Sequence, residues 1–274
     1  MLSVNTNSGA MVALQSLNMT EANLQNTQNQ ISTGLKVASA KDNGSTFAIA
    51  QNMRGDVAGY QAVTDSLNRG ISVIDVAMAA GQSISDLLIE MKQRALAASD
   101  TSLDTASRNA LNNDFTALRD QITSIIKNAV FNGVNLVDGS TNQISALASS
   151  DGTRHITATA ENMSLSGSIV TIAAAGTIST QANASAMIAT VQASLTNVNS
   201  ALAKLGSSAA KFSVQAGFVG KLSDTLTTGI GNLVDANMAQ ESAMLQSLQV
   251  KQQLGAQALS IANQSPQIIM SLFR

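Results

Sequence analysis

Apolar residues recur at alternating spacings of three and four through most of the C-terminal half of this chain. The longest run begins at Ile188 and ends at Leu233, and Ser223 is its only polar member. Such a pattern places one apolar stripe along an α-helix. At about 1.5 Å per residue the run predicts a helix roughly 70 Å long. A helix of that length cannot bury its stripe by folding back on itself, so the pattern requires partner helices.

Two further stripes in the N-terminal half can supply these partners. One runs from Ala50 to Ala95 and the other from Leu111 to Ala129, after a turn in which Asp104 or Thr105 could cap the new helix. The only proline is Pro266, and the chain has six Phe, one Tyr and no Trp. Long uninterrupted helices with an aliphatic core are therefore expected. We predict a mainly α fold, a long antiparallel helical rod or coiled-coil bundle.

The stretch 131–181 has a different character and predicts a small β-rich insert. Asn132-Gly133 and Asp138-Gly139 favour turns, and three short Ser/Thr/Gly-rich segments with β-forming patches follow, at 154–160, 168–173 and 176–180. We expect the insert to lie at the tip of a helical hairpin.

The two ends of the chain have heptads that are only half apolar. Near the N-terminus Ala10, Leu17, Leu24, Ile31 and Ala38 recur every seven residues, with Leu14, Glu21, Gln28 and Leu35 as their companions. Near the C-terminus Met238, Leu245, Gln252 and Leu259 recur with Glu241, Leu248, Gly255 and Ala262. Such seams bury little apolar surface against an ordering entropy of about 1–2 kcal/mol per residue. We expect both ends to be frayed in the monomer and to become stably helical against other copies or a chaperone.

Composition and charge exclude several classes of protein. Fifteen basic and 17 acidic residues give a net charge of -2, so no basic footprint for nucleic acid exists. The absence of cysteine excludes disulfides, thiol catalysis and thiolate metal sites. No run reaches the roughly 18 apolar residues of a membrane span, and the first residues lack the features of a Sec signal.

No constellation of residues suits catalysis, a cofactor or a metal, so we predict that the protein is not an enzyme. His155 is the only histidine and lies in the polar insert beside Arg154, where solvent exposure is the simplest interpretation. Gly217 and Gly220 lie within a heptad stripe, and we interpret them as points of close helix packing, since no strand precedes them as in a phosphate-binding loop.

Four blocks of sequence resemble the bacterial flagellin family. Ile31 to Arg54 (ISTGLKVASAKDNGSTFAIAQNMR) is similar to its glycine turn, SAKD motif and AIA..MR helix. Asn68 to Ile74 (NRGISVI) is similar to its N-D-G-I-S-V run, with Arg69 in place of the acidic residue. FNGVNLVDG resembles the turn that ends its third helix, and Gly255 to Arg274 resembles its C-terminal block. The blocks follow the family's order from one end of the chain to the other.

The resemblance implies a subunit of the extracellular helical filament used for swimming, exported through the flagellar type III system. It divides the chain into paired terminal helices (1–43 and 232–274) that form the inner filament core, an outer rod (44–140 and 182–231) and a surface-exposed variable insert (141–181). The expected partners are other copies of the chain, an export chaperone, the filament cap and hook-associated proteins. The residues expected at subunit interfaces are Leu14, Leu17, Leu24, Ile31, Leu35, Lys41, Asp42, Arg54, Met238, Leu245, Leu248, Leu259, Leu272 and Arg274.

Two further expectations follow from the same resemblance. Flagellins are recognised by Toll-like receptor 5 through the first long rod helix, but here Glu90 stands where Arg is usual and Arg94 where Leu is usual, which predicts poor recognition. Flagellins are also often O-glycosylated on outward hydroxyls. The candidate positions in this chain are Thr141, Ser145, Ser149, Ser150, Thr153, Thr157, Ser164 and Ser166.

Two other functions stay open from the residues alone. A hook–filament junction protein of the same export system would share the terminal heptads, although the complete SAKD and C-terminal blocks favour the filament subunit. A chemoreceptor-like signalling coiled coil would explain heptads rich in Ala, Gln and Ser, but it would need membrane spans or a helical hairpin tip in place of the β-rich insert.

Overall fold

A computed structural model describes the backbone of residues 6–271 and the side chains of residues 6–264. Within these residues the chain forms five helices and two strands. They are α1 (Ser8–Thr33), α2 (Gly44–Ala98), α3 (Thr105–Asn128), β1 (Gln143–Leu147), β2 (His155–Thr159), α4 (Gln181–Val234) and α5 (Met238–Ser271). The predicted mainly α fold with a small β insert is confirmed.

The chain divides into two compact units. The first comprises residues 1–55 and 225–274, and the second residues 56–224. The three-part division expected from the sequence stays a prediction.

In the second unit α2 and α4 run antiparallel along a shared seam. Ser85 of α2 donates to Asn199 of α4 at 3.4 Å. Lys92, which lies later in α2, donates to Gln192, which lies earlier in α4. The buried apolar core of this unit is aliphatic apart from two rings, Phe115 of α3 and Phe212 of α4. Among the described residues, one stretch within α2 is long and apolar enough to cross a membrane by length and composition, and 44% of that stretch is buried inside the protein.

Helix α3 returns antiparallel to α2, as the sequence predicts. Asp104 caps it by accepting from the Ser107 amide at 2.8 Å, which confirms one of the two predicted caps. Arg108 then anchors the turn between α2 and α3, because its Nε donates to the Ala98 carbonyl at 2.9 Å. Since α3 and α4 are both antiparallel to α2, they are parallel to each other.

The insert does not lie at the tip of a helical hairpin, and that expectation is wrong. Two parallel helices need a connection that runs back along their length. The segment between α3 and α4 does so: the Leu147 amide donates to Ser66 of α2 at 3.1 Å, and further along the Thr171 amide donates to Ser194 of α4 at 3.0 Å. The Ile178 amide finally donates to Asn112 near the start of α3 at 2.7 Å.

The β structure is smaller and partly displaced from its predicted position. Strands β1 and β2 form an antiparallel hairpin that pairs Gln143 with Thr159 and Leu147 with His155. Of the three predicted β segments only 154–160 contains a strand. The segments at 168–173 and 176–180 pack as irregular chain, apart from one isolated bridge between Leu165 and Val170.

Both predicted Gly turns form, and their residues adopt the positive φ that such turns require. Asn132 and Gly133 have φ values of 50° and 80°, which is the left-handed pair of a tight hairpin turn. Gly139 has a φ of 82°. The buried Asn135 holds the chain between these turns, since its side chain donates to the Ile126 carbonyl at 2.7 Å and accepts from the Val137 amide at 2.8 Å.

The close-packing glycines are not the predicted ones. A Cβ at Gly217 or Gly220 would meet nothing within 4 Å, so the interpretation of these two as packing points is wrong. Instead, a Cβ at Gly70 would lie 2.5 Å from the Phe212 ring and one at Gly81 would lie 2.8 Å from Leu202. The tight approaches are therefore made by glycines of α2 against large side chains of α4.

Candidate functional site

The terminal helices α1 and α5 pair antiparallel within the first unit. Asn7 donates to the Ala262 carbonyl at 2.7 Å, and a Cβ at Gly255 would lie 3.2 Å from Leu17. With its amide oriented as its neighbours require, Gln30 donates to Glu241 at 3.0 Å. The structure thus gives each terminal helix an intrachain partner. That both ends are frayed in the monomer stays a prediction.

The seam between α1 and α5 is narrow and half polar. In α1 only Thr27 is buried, and in the described part of α5 only Leu248 is. The partly or fully buried positions form heptads at Ala10, Ala13, Leu17, Thr20, Leu24, Thr27 and Ile31 of α1, and at Glu241, Leu245, Leu248, Gln252, Gly255, Leu259 and Ala262 of α5.

The predicted register is right for α5 from Glu241 onward, although Met238 is exposed, and it is wrong by one residue for part of α1. The companions that complete the α1 seam are Ala13, Thr20 and Thr27, whereas Glu21 and Gln28 are exposed. A companion three or four residues along satisfies a heptad equally well. Which of the two companion positions is buried depends on the side from which α5 packs against α1. The sequence of α1 alone does not determine that side.

Outside the seam both helices expose large apolar side chains. On α1, Met11 and Val12 are each 66% exposed, and Leu14 and Met19 are also exposed; these four line one groove. On α5 the exposed apolar side chains are Met238, Met244, Val250, Leu254 and Ile261. Of these only Leu14 and Met238 were predicted at an interface, because they belong to the predicted heptads and the other exposed apolar residues lie off them. An off-heptad apolar residue on an otherwise polar helix is the signal that could have found them.

These exposed surfaces carry almost no charge. Glu21 is the only charged residue of α1, and Glu241 and Lys251 are the only ones of α5 between Met238 and Ser271. Low charge removes like-charge repulsion between neighbouring copies. Exposed apolar patches rimmed by polar residues mark interaction surfaces. The terminal pair therefore has the properties of a surface that another protein chain covers.

A turn over residues 34–43 connects α1 to α2. Gly34 ends α1 in the left-handed conformation, with φ 71° and its amide donating to the Gln30 carbonyl at 2.9 Å. Within the turn, the Asp42 carboxylate accepts from the amides of Ser39 at 2.8 Å and Ala38 at 3.1 Å. The Ser39 backbone bond is the largest of the interactions that lower the pKa of Asp42 from 3.8. Asp42 thus holds the turn in its ionised form.

The same turn is fastened to the end of α4. The amides of Lys36 and Val37 both donate to the Val234 carbonyl, at 2.7 and 3.2 Å, and the Ala236 amide donates to the Gly34 carbonyl at 2.9 Å. Beneath these bonds lies a small core of Val37, Ala50 and Val234, with Leu35, Phe47 and Ile230 packed against it. Leu35, one of the predicted interface residues, therefore packs within its own chain.

The charged residues predicted at an interface have different surroundings. Asp42 is engaged within its own turn. Lys41 is exposed and makes no ion pair among the described residues, and Arg54 donates only to Gln51 at 3.4 Å. Lys41 is thus the best placed of the three for a contact with another chain. Leu272 and Arg274 lie outside the described residues.

The two departures from the receptor-binding stretch lie on the exposed side of α2 in the second unit. Glu90 and Arg94 are exposed, whereas Leu88, Met91 and Ala95 beside them are fully buried. Arg94 lies 3.6 Å from Asp114 of α3, in a pair whose side chains are about half exposed. Both departures therefore alter the surface of the helix and not its packing.

The candidate hydroxyls of the insert fall into three groups. Ser149, Ser150, Thr153, Ser164 and Ser166 all take part in hydrogen bonds to neighbouring groups of the insert or α2. Ser145 and Thr157 face each other on the outward side of the hairpin and are exposed, and no intramolecular hydrogen bond of their hydroxyls is found; Thr141 is partly buried. Ser145 and Thr157 are thus the exposed candidates for which no hydrogen bond of the hydroxyl is found among the described residues.

Among the described residues no group of three or more His, Cys, Asp or Glu side chains could hold a metal ion. His155 is exposed at the start of β2.

Comparison with known proteins places these features in one family. Residues 4–142 match the family described as bacterial flagellin N-terminal helical region, and residues 188–273 match the bacterial flagellin C-terminal helical region. The chain is 54% identical over 272 residues to flagellin FljM of Caulobacter vibrioides, covering 99% of this chain and 98% of that one. It is 36% identical to a flagellin of Brucella melitensis over the full length of both chains.

A solved structure shares the fold alone. A putative flagellar hook-associated protein from Vibrio parahaemolyticus aligns with a TM-score of 0.57 at 15% sequence identity, over 71% of this chain and all of that one. The resemblance noted in the sequence is confirmed by the two family matches and by the full-length relatives. This chain belongs to the bacterial flagellin family.

Proposed function

We propose that this chain is the structural subunit of a bacterial flagellar filament, assembled outside the cell from many copies and used for swimming. The observation that carries the proposal is the paired α1 and α5 surface, which exposes large apolar side chains and is nearly free of charge. Full-length similarity to flagellins supports the same conclusion. The hook-associated neighbour shares only the fold, and no feature of the site favours a junction role over the filament.

We further propose the division of labour that the family resemblance implies. Residues 1–43 and 232–274 form the inner core of the filament, residues 44–140 and 182–231 form the outer rod, and residues 141–181 face solvent. The chain is exported unfolded through the flagellar type III system. An export chaperone, the filament cap and hook-associated proteins are its partners on the way. No catalytic role is proposed.

The direct experiment is seeded polymerisation. Heat or acid should release monomers from native filaments, and fragments of filament added as seeds should restore long filaments, followed by light scattering and electron microscopy. Val12→Glu introduces a charge on the exposed groove of α1, where it does not disturb the seam within the chain, and should abolish polymerisation.

The matched control adds the same charge elsewhere. Thr159 is exposed on β2, so Thr159→Glu should polymerise like the unaltered chain. Normal filaments from the Val12→Glu chain would refute the assignment of this surface. A failure of the unaltered chain to form filaments under any seeding condition would refute the proposed function itself.

A further inference from the structure

Methionine carries all of the side-chain sulfur in this protein, since the sequence has 11 Met and no Cys. Among the side chains that the structure describes, the strongly exposed methionines all lie on the terminal helices. Met11 and Met19 are 66% and 58% exposed on α1, and Met238 and Met244 are 44% and 45% exposed on α5. In the second unit, by contrast, Met91 and Met163 are completely buried.

Met11 and Met19 also share one surface. With Val12 and Leu14 they line the groove on α1, and none of the described residues that line it is charged. A thioether is apolar and adaptable, and therefore suits a surface that packs against a neighbouring chain. Addition of one oxygen converts it into a polar, chiral sulfoxide, which disrupts methionine-rich contacts.

We propose that Met11 and Met19 form an oxidation-sensitive site, and that their conversion to sulfoxide by a peroxide prevents the chain from assembling. The methionine sulfur attacks one oxygen of hydrogen peroxide, the O–O bond breaks, and an S–O bond forms. The sulfur loses two electrons and the peroxide is reduced to water, so no further reactant is needed. Methionine sulfoxide reductases can reverse the change. The effect on assembly rests on the proposed filament function, because only assembly would bury this surface.

The site itself is tested on monomers, without any filament. Monomers are treated with graded hydrogen peroxide, and sulfoxide is quantified at each methionine by peptide mass spectrometry. Met11 and Met19 should be oxidised several-fold faster than Met91 and Met163, which solvent does not reach. Equal rates at the exposed and buried positions would overturn the assignment.

The consequence is tested by seeded polymerisation of the same samples. Oxidised monomers should lose most of their polymerisation rate, and treatment with the two epimer-specific reductases should restore it. The double variant Met11→Leu/Met19→Leu should polymerise equally well before and after the same dose. A Met91→Leu control, a volume-conserving change that cores tolerate, should remain as sensitive as the unaltered chain. Unchanged polymerisation of the oxidised chain, or equal inhibition of the double variant, would overturn the proposal.

If the double variant itself assembles poorly, oxidised and unoxidised molecules of the unaltered chain can be made to compete for assembly in one sample. After mild oxidation of the unaltered chain, the molecules left in solution should be enriched several-fold in sulfoxide at Met11 and Met19 relative to those in filaments, and equal content would contradict the proposal. If the untreated chain forms no filaments, the proposed function fails, whereas the oxidation rates on monomers still decide whether the site exists.

Discussion

At the scale of single residues, Gly70 sets how closely α2 approaches α4. A Cβ at this position would lie 2.5 and 2.9 Å from two carbons of the buried Phe212 ring. We expect Gly70→Ala to lower the free energy of unfolding by about 1–3 kcal/mol, the usual cost of overpacking. Denaturant unfolding followed by circular dichroism measures the effect.

Gly206 provides the matched control for this substitution. It lies in α4 within the same unit, and a Cβ there would meet nothing within 4 Å. Since glycine inside a helix is less favourable than alanine by roughly 0.5–1 kcal/mol, Gly206→Ala should stabilise the protein. Equal destabilisation by both substitutions would mean that the contact with Phe212 does not limit the packing.

Asp42 makes the turn between α1 and α2 dependent on pH. Its pKa is lowered from 3.8, chiefly by the Ser39 amide, so its contribution to stability is present above pH 3.8 and is lost as the pH falls below that value. Asp42→Ala should therefore accelerate amide hydrogen exchange at Ala38 and Ser39 at neutral pH. The difference from the unaltered chain should shrink as the pH falls below 3.8.

Asp65→Ala is the control for the loss of one carboxylate. Asp65 is exposed on α2, and its substitution should leave exchange in the turn unchanged at every pH. If Asp42→Ala also had no effect on these amides, Asp42 would not hold the turn together.

At the scale of elements, the exposed face of α2 that carries Glu90 and Arg94 predicts weak activation of Toll-like receptor 5. Glu90 reverses the usual charge, and Arg94 places a charge where an apolar contact is usual, so the purified monomer should stimulate reporter cells poorly. Glu90→Arg combined with Arg94→Leu should raise the signal. The loss of the exposed ion pair between Arg94 and Asp114 should cost at most about 1 kcal/mol. Strong stimulation by the unaltered monomer would contradict this account.

The outward side of the β hairpin is where we expect any O-linked sugar. Ser145 and Thr157 are exposed and opposite each other, whereas the other candidate hydroxyls are hydrogen-bonded or partly buried. Intact-mass analysis of native filaments should give more than the bare 28.2 kDa, and Ser145→Ala/Thr157→Ala should remove the excess. A mass of 28.2 kDa from native filaments would remove the hypothesis of glycosylation.

The helices were predictable from the sequence because local periodicity determines them. The stripes of α2, α3 and α4, the Asp104 cap and the Asn132-Gly133 turn all follow from residues close together in the chain. The path of the insert was not predictable, because it depends on α3 and α4 lying parallel. The register of the α1 seam and the packing at Gly70 likewise depend on which side chain a distant helix presents.

The candidate interface was predictable only in outline. The half-polar heptads indicated that the terminal helices need further partners. They also located Leu17, which packs within the chain, and Leu248, which is buried. The exposed side chains Met19, Val250 and Ile261 lie off the heptad and were not predicted for that reason. Asp42 was expected at an interface, but its carboxylate is bound within the turn.

At the scale of the whole molecule, the account depends on an unequal distribution of burial. The second unit has an extensive aliphatic core, whereas the seam between α1 and α5 buries little more than Thr27 and Leu248. Ordering a residue costs about 1–2 kcal/mol, so such a seam can stabilise the terminal pair only marginally. The apolar surface left outside the seam can supply the remaining stabilisation once neighbouring copies cover it.

Amide hydrogen exchange across the whole chain, compared between monomers and filaments, tests this claim most directly. We predict rapid exchange in α1 and α5 of the monomer, slow exchange in the second unit, and strong protection of α1 and α5 after polymerisation. Strong protection of both terminal helices in the isolated monomer would contradict the account.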